Sequence, residues 1–252
     1  MPEPLSMQPS RWWEEYAIRY GVGTVVGGVI FFILCSFNES LQPFLFGASA
    51  DNFSTSHIVL LGVYGFAYCY LASAPILVFH ASRWLSKPDN DLDDLLIKLL
   101  ITLSLPLIFA QVLHDHIPIT DSSTKGMLWS SAFLLALIVW LQILAIVRSA
   151  VSHRDLFDFY AKLAKKRESS NAQLIESYRH LREHGNAFFV VFMEIAFAAI
   201  LQGVSTLIHA VAPNPSPEGI AIAYVGVVVI WISPAVAVWL IGNTIERTLA
   251  DS

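Results

Sequence analysis

The residues best placed to do chemistry in this chain stand where a charge is costly. Glu194 lies inside the apolar run 187–210. A carboxyl group at membrane depth costs several kcal/mol unless it is paired, hydrated or protonated. At 100° per residue, His184, Glu194, Gln202, Ser205 and His209 fall in one sector of about 80°. A polar stripe of this kind suits a proton path, an ion path or a polar helix interface. Ala198, Ala199 and Gly203 on the same segment suit close packing, so the stripe reads either as a lined path or as a packing seam. Gln142, inside the run 127–147, is a candidate hydrogen-bond partner for Gln202. His80, Arg83 and Arg148 are candidate partners for Glu194 near the inner boundary.

Other chemistry is weaker. Arg179 and His184 have the spacing R-x4-H in YRHLREH. This pair resembles the catalytic pair of HEPN ribonucleases, and the resemblance implies RNA cleavage by a soluble helical bundle and its dimeric mate. The charged segment 148–186 is too short for such a bundle, so the basic cluster reads as a headgroup anchor. His57, His114, His116 and His209 gather toward one end of the expected helices, and His80, His153, His180 and His184 toward the other. Six helices with two histidine tiers resemble the di-haem cytochrome b561 class, which implies haem held between paired histidines. Here the histidines fall at or beyond the helix ends, where a neutral imidazole sits comfortably. Gly62-Val63-Tyr64-Gly65 resembles a potassium filter in composition, but the order differs and the stretch lies within an apolar run. The acidic run 89–94 lacks the glycine and terminal acid of an EF-hand and reads as a loop or cap. Nucleophile elbows, zinc-protease motifs and phosphate loops are missing from the sequence. Cys35 and Cys69 read as small packing residues. No catalytic residue, metal or cofactor is expected.

The elements that must position the stripe follow from composition. Hydrophobic residues make up 55% of the 252, charged ones only 14%, and mean hydropathy is +0.58. Soluble domains carry about 25% charged residues. Runs near 20 residues, long enough to cross a bilayer as helices, occur at 18–37, 57–80, 95–113, 127–147, 187–210 and 220–241. No cleavage site follows the first, which is expected to remain as a membrane helix. With the N-terminus inside, only Lys125 of the 15 basic residues falls outside. The positive-inside rule then predicts six spans with both termini cytoplasmic, in a bacterial inner membrane.

Three regions result: spans one to four (1–147), a charged segment (148–186), and spans five and six with a tail (187–252). The middle segment has helical apolar spacing at Leu156, Phe159, Tyr160 and Leu163, and again at Leu174, Tyr178 and Leu181. Span four is expected to continue unbroken to about residue 168, with a turn at ESSN and a helix returning into span five. That makes an all-α protein with a cytoplasmic antiparallel hairpin projecting roughly 30 Å. Lys165, Lys166, Arg167, Arg179 and Arg182 are its candidate docking residues for a soluble protein partner. Gly23, Thr24, Gly27 and Gly28 form two small-x3-small pairs that suit either a homo-oligomer contact or internal packing. Pro106 and Pro234 mark candidate helix breaks in the third span of each half, as an inverted-repeat transporter would have.

The reading is an oligomeric, channel-like ion- or proton-conducting protein of the bilayer. A partner or ligand at the hairpin would control it, as in a membrane effector or sensor for stress or phage defence. The alternatives are a small secondary transporter, a non-conducting scaffold and a di-haem redox protein. No nucleic-acid partner is expected.

Overall fold

The computed structural model describes the backbone of residues 12–46, 55–82, 85, 92–117, 119, 121–167, 172–212 and 214–250. Its side chains are described at 17, 20–46, 55–82, 85, 100–117, 119, 121–162, 165, 187–212, 214–243 and 247. Within these residues the chain is helical, without strands. The helices are α1 (Trp12–Phe37), α2 (Gln42–Phe46), α3 (Thr55–Ala72), α4 (Ala74–Ala81), α5 (Leu92–His116), α6 (Ser122–Val151), α7 (His153–Arg167), α8 (Ala172–Val211) and α9 (Pro217–Ala250).

Five stretches among the described residues are long and apolar enough to cross a bilayer: Tyr20–Phe37, Thr55–Ala81, Ser122–Val151, Ala187–Val211 and Pro217–Asn243. Each coincides with an expected span. The remaining one, 95–113, lies within the 25-residue α5, whose side chains are described only from Leu100 onward. The outward faces are apolar. Val25, Val29 and Ile33 of α1, Val59, Val63 and Phe66 of α3, and Phe188, Phe192 and Ile195 of α8 are all exposed. Apolar faces this extensive, on helices that satisfy their own backbone groups, are compatible with a membrane-embedded multi-pass protein.

Inside, α1 packs chiefly on α3 and also on α8, α6 packs on α8 and α5, and α4 packs on α9 and α6. The core joins Leu34 and Cys35 of α1, Tyr68 of α3, Met193, Phe197 and Ile200 of α8, and Trp231 of α9. Trp231 lies 5.1 Å from Phe197 between ring centroids, and its indole N–H donates to the Leu71 carbonyl at 3.0 Å.

Asp121 starts α6. Its backbone is extended (φ −74°, ψ 121°) and its carboxylate accepts from the Thr124 amide at 2.7 Å, from the Thr124 hydroxyl, and from the Ser123 hydroxyl at 2.8 Å. This is an N-cap, satisfying a donor that the first helical turn leaves unpaired. The Thr124 hydroxyl and amide hold the carboxyl down at about 2. A depressed carboxyl stabilises the fold above its unfolded value, about 3.9, and this contribution fades as pH falls through the folded value. Asp121→Ala is therefore expected to lower the unfolding temperature in detergent at neutral pH. The difference from the native chain should shrink as pH falls from about 4 to about 2.

Two expectations about the charged segment part company. The returning arm is one helix with span five: α8 runs 40 residues, about 60 Å and twice the hydrocarbon thickness. The outgoing arm does not continue span four unbroken. The chain leaves helical geometry at Ser152 (φ −105°, ψ 40°) and restarts as α7. Serine tolerates such a break because its hydroxyl competes for backbone partners. The apolar stripe of α7 then finds the bundle: Leu156 is buried and the Tyr160 hydroxyl donates to the Ala81 carbonyl at 3.0 Å. Lys165 is exposed, whereas Leu163, Lys166, Arg167, Leu174, Tyr178, Arg179, Leu181 and Arg182 have side chains outside the described residues.

The expected helix breaks also need correcting. Pro106 and Pro234 both lie inside continuous helices, α5 and α9. A proline removes one amide donor, and in an apolar bundle the turns on either side can continue past it. A bend that sequence did not announce falls instead between α3 and α4, at Ser73 (φ −80°, ψ −5°), with Pro75 in the first turn of α4.

Candidate functional site

The residues around Glu194 are brought together by three helices. α8 carries the carboxyl, α1 presents Gly23 and Gly27, and α3 presents Gly65, Tyr68 and Cys69. These three α3 positions share one face with Ala72, and all four are buried, the i, i+3, i+4, i+7 pattern of a core-facing stripe. The α1–α3 approach is backbone to backbone. A Cβ on Gly65 would run into the Thr24 carbonyl and would come within 2.7 Å of the Gly28 amide nitrogen and 2.8 Å of the Gly28 Cα. The small residues at 23–28 thus make their close contacts inside this chain.

Glu194 lies against that contact. Its Oε1 is 3.2 Å from the place a Cβ would take on Gly23, and 3.2 Å from the equivalent place on Gly27. The residue is 0% exposed. The Cys69 thiol lies beside the carboxyl, yet neither carboxyl oxygen has a hydrogen-bond partner of ordinary geometry. The Tyr68 hydroxyl donates instead to the backbone carbonyl of Glu194, at 2.7 Å. His80 and Arg148 therefore do not serve as its hydrogen-bond partners, and Arg83 lies outside the described residues. Among the described residues, no group of three His, Cys, Asp or Glu side chains is placed to hold a metal ion.

Two further residues of the stripe, Gln202 and Ser205, face the end of α1. Ser205 is buried and donates to Asn38 Oδ1 at 3.0 Å. Asn38 Nδ2 donates to Tyr224 Oη at 3.2 Å and, at 3.4 Å, to Gln202 Oε1. His209 is exposed at the far end, with its Nδ1 donating to the Ser205 carbonyl at 2.8 Å. The side chain of His184 lies outside the described residues. Glu194, Gln202 and Ser205 thus form a seam that the α1 segment closes. Across from it, Gly203 allows close contact with Ser131 of α6, whose hydroxyl donates to the Ala199 carbonyl at 2.8 Å.

No protein-family model, curated protein or solved structure matches this chain. The site must therefore be read from its own geometry.

Gln142 does not meet Gln202. It is 0% exposed, and neither end of its amide has a partner, while Gln202 turns to Asn38. The residue that reasoning from sequence missed is Asn38. It ends α1, and its carbonyl accepts from Leu41 and Gln42 while its side chain accepts from the Ser40 amide at 3.0 Å. Asparagine commonly makes such a turn. It stands just after the apolar run 18–37, and at 3% exposure it is part of the seam. Asn38→Ala leaves the buried Ser205 and Tyr224 hydroxyls without this partner. The substitution is expected to cost about 2 kcal/mol, read as a loss of unfolding free energy in detergent titrations.

Proposed function

We propose that this chain is an oligomeric inner-membrane protein that conducts protons, with Glu194 as the group that takes up and releases them. The observation that carries the reading is the enclosed, unpartnered carboxyl between three spans. A bare carboxylate in such a place costs several kcal/mol, so a counter-charge must accompany it. The missing side chains of Gly23 and Gly27 are what make room for one carboxyl oxygen, and so narrow a space suits a proton better than a hydrated cation. A proton needs no coordination shell. The Asn38–Ser205–Tyr224 cluster continues polar groups along the same seam toward His209.

In this reading α5 is the sixth span and both termini are cytoplasmic. The N-terminal part of α8 then projects into the cytoplasm, and α7 lies against the cytoplasmic end of the bundle. A soluble partner that docks there, at Lys165 and the neighbouring basic residues, moves α8 as one rigid helix and opens the seam against α1. The continuity of α8 from this arm to the seam supports such coupling. The closed seam also suits a carrier caught with its site occluded, which is the second reading. Proteoliposomes loaded with a pH-sensitive dye and driven by a potassium diffusion potential test the choice. Protein-dependent pH change without sodium or chloride flux is expected. Metal-cation or anion flux without pH change contradicts the proton reading, and saturation by one solute selects the carrier.

A further inference from the structure

A second feature lies away from the seam. Where α7 folds under the ends of α4, α6 and α9, it encloses a half-open cavity of about 560 Å³. Its walls include Val78, Ala145, Leu156, Val238 and Gly242. Of the polar groups that line it, the Ser82 hydroxyl donates to the Val78 carbonyl at 2.9 Å and the Tyr160 hydroxyl to the Ala81 carbonyl, while Asp158 stands exposed at the rim. A cavity of this size and apolarity is in the range that holds an organic ligand. Three of its four walls are ends of membrane-crossing segments, so bilayer lipid is the amphiphile at hand. The two helices that meet at Ser152 also carry exposed Arg148, Arg154, Lys162 and Lys165, against the acidic Asp155 and Asp158. That excess of positive charge at a membrane boundary favours an anionic headgroup.

We propose that this cavity binds an anionic phospholipid, with an acyl chain between α7 and the ends of α4, α6 and α9 and a phosphate headgroup facing Arg148 and Arg154. The lipid completes the packing of α7 against the bundle, so α7 docks fully only in a membrane that supplies it. Gly242 offers a clean test. A Cβ there meets nothing within 4 Å, so a large side chain fills space without displacing backbone. Ala161, exposed on α7 and also lining the cavity, gives a second filling position from the opposite wall.

The experiment is native mass spectrometry of the full chain in detergent. Phosphatidylglycerol and phosphatidylcholine with identical chains are added in equal amounts. The native protein is expected to retain phosphatidylglycerol preferentially. Gly242→Phe and Ala161→Phe should each reduce retention about tenfold with helical content and elution volume unchanged. Arg148→Gln and Arg154→Gln should each cut the headgroup preference about fivefold while acyl-chain retention persists. Equal retention by the native protein and both filled variants would mean general surface lipid and overturns the proposal. A lipid-free protein whose cavity amides are nevertheless protected from hydrogen exchange would mean a protein segment fills the cavity, and overturns it too.

Discussion

Gly65→Ala is expected to destabilise the bundle by about 3 kcal/mol, toward the upper end of overpacking costs. The added methyl meets backbone: the Thr24 carbonyl and the amide nitrogen and Cα of Gly28. Backbone cannot rotate away as a side-chain tip can, so α1 and α3 must separate. Membrane helices have little hydrophobic drive to associate and depend on such close packing. Gly62 supplies the control. It lies one turn earlier on α3, and a Cβ there meets nothing within 4 Å. Gly62→Ala is expected to be neutral or to stabilise by up to about 1 kcal/mol through helix propensity. Unfolding of both variants in a denaturing-detergent titration measures the difference. Equal effects would show that α1 and α3 do not meet at Gly65.

The second large effect concerns Glu194. Glu194→Gln preserves the shape of the pocket and removes the group that exchanges a proton. Proton flux in proteoliposomes is expected to fall by at least about a hundredfold, the scale on which a positioned acid–base group contributes. The unfolding midpoint should stay close to that of the native chain, because the carboxyl has no hydrogen-bond partner to lose. A variant that keeps its flux would leave the seam a packing element, the alternative that small and polar residues on membrane helices always offer. A variant that falls apart instead points to the same alternative.

Much of the architecture was legible in the sequence because apolar length is a one-dimensional signal. All six runs coincide with helices, and the face of α8 that carries Glu194, Gln202 and Ser205 followed from a 100° step. Helix partners were harder to read. Gly62 and Gly65 look alike in sequence, yet only Gly65 touches α1. Cys69 reads from the sequence as a small packing residue, and the structure adds that it shares a buried face with Gly65, Tyr68 and Ala72 against the Glu194 carboxyl. Gln142 and Gln202 share a plausible depth, and nothing in either segment says that Asn38 takes Gln202 first. The break at Ser152 is similarly hidden. Helical spacing continues through it, and the chain bends because Leu156 and Tyr160 have somewhere apolar to go. Which surface a stripe meets is settled by the whole bundle rather than by its own residues.

Proton exchange at Glu194 itself is the most direct point of attack. Infrared spectra of the reconstituted protein in H₂O and D₂O, across a pH series under flux conditions, isolate the carboxyl C=O stretch that Glu194→Gln removes. This band is expected to shift in D₂O and to change intensity with pH. A band that neither exchanges nor titrates while flux proceeds would contradict Glu194 as the carrier.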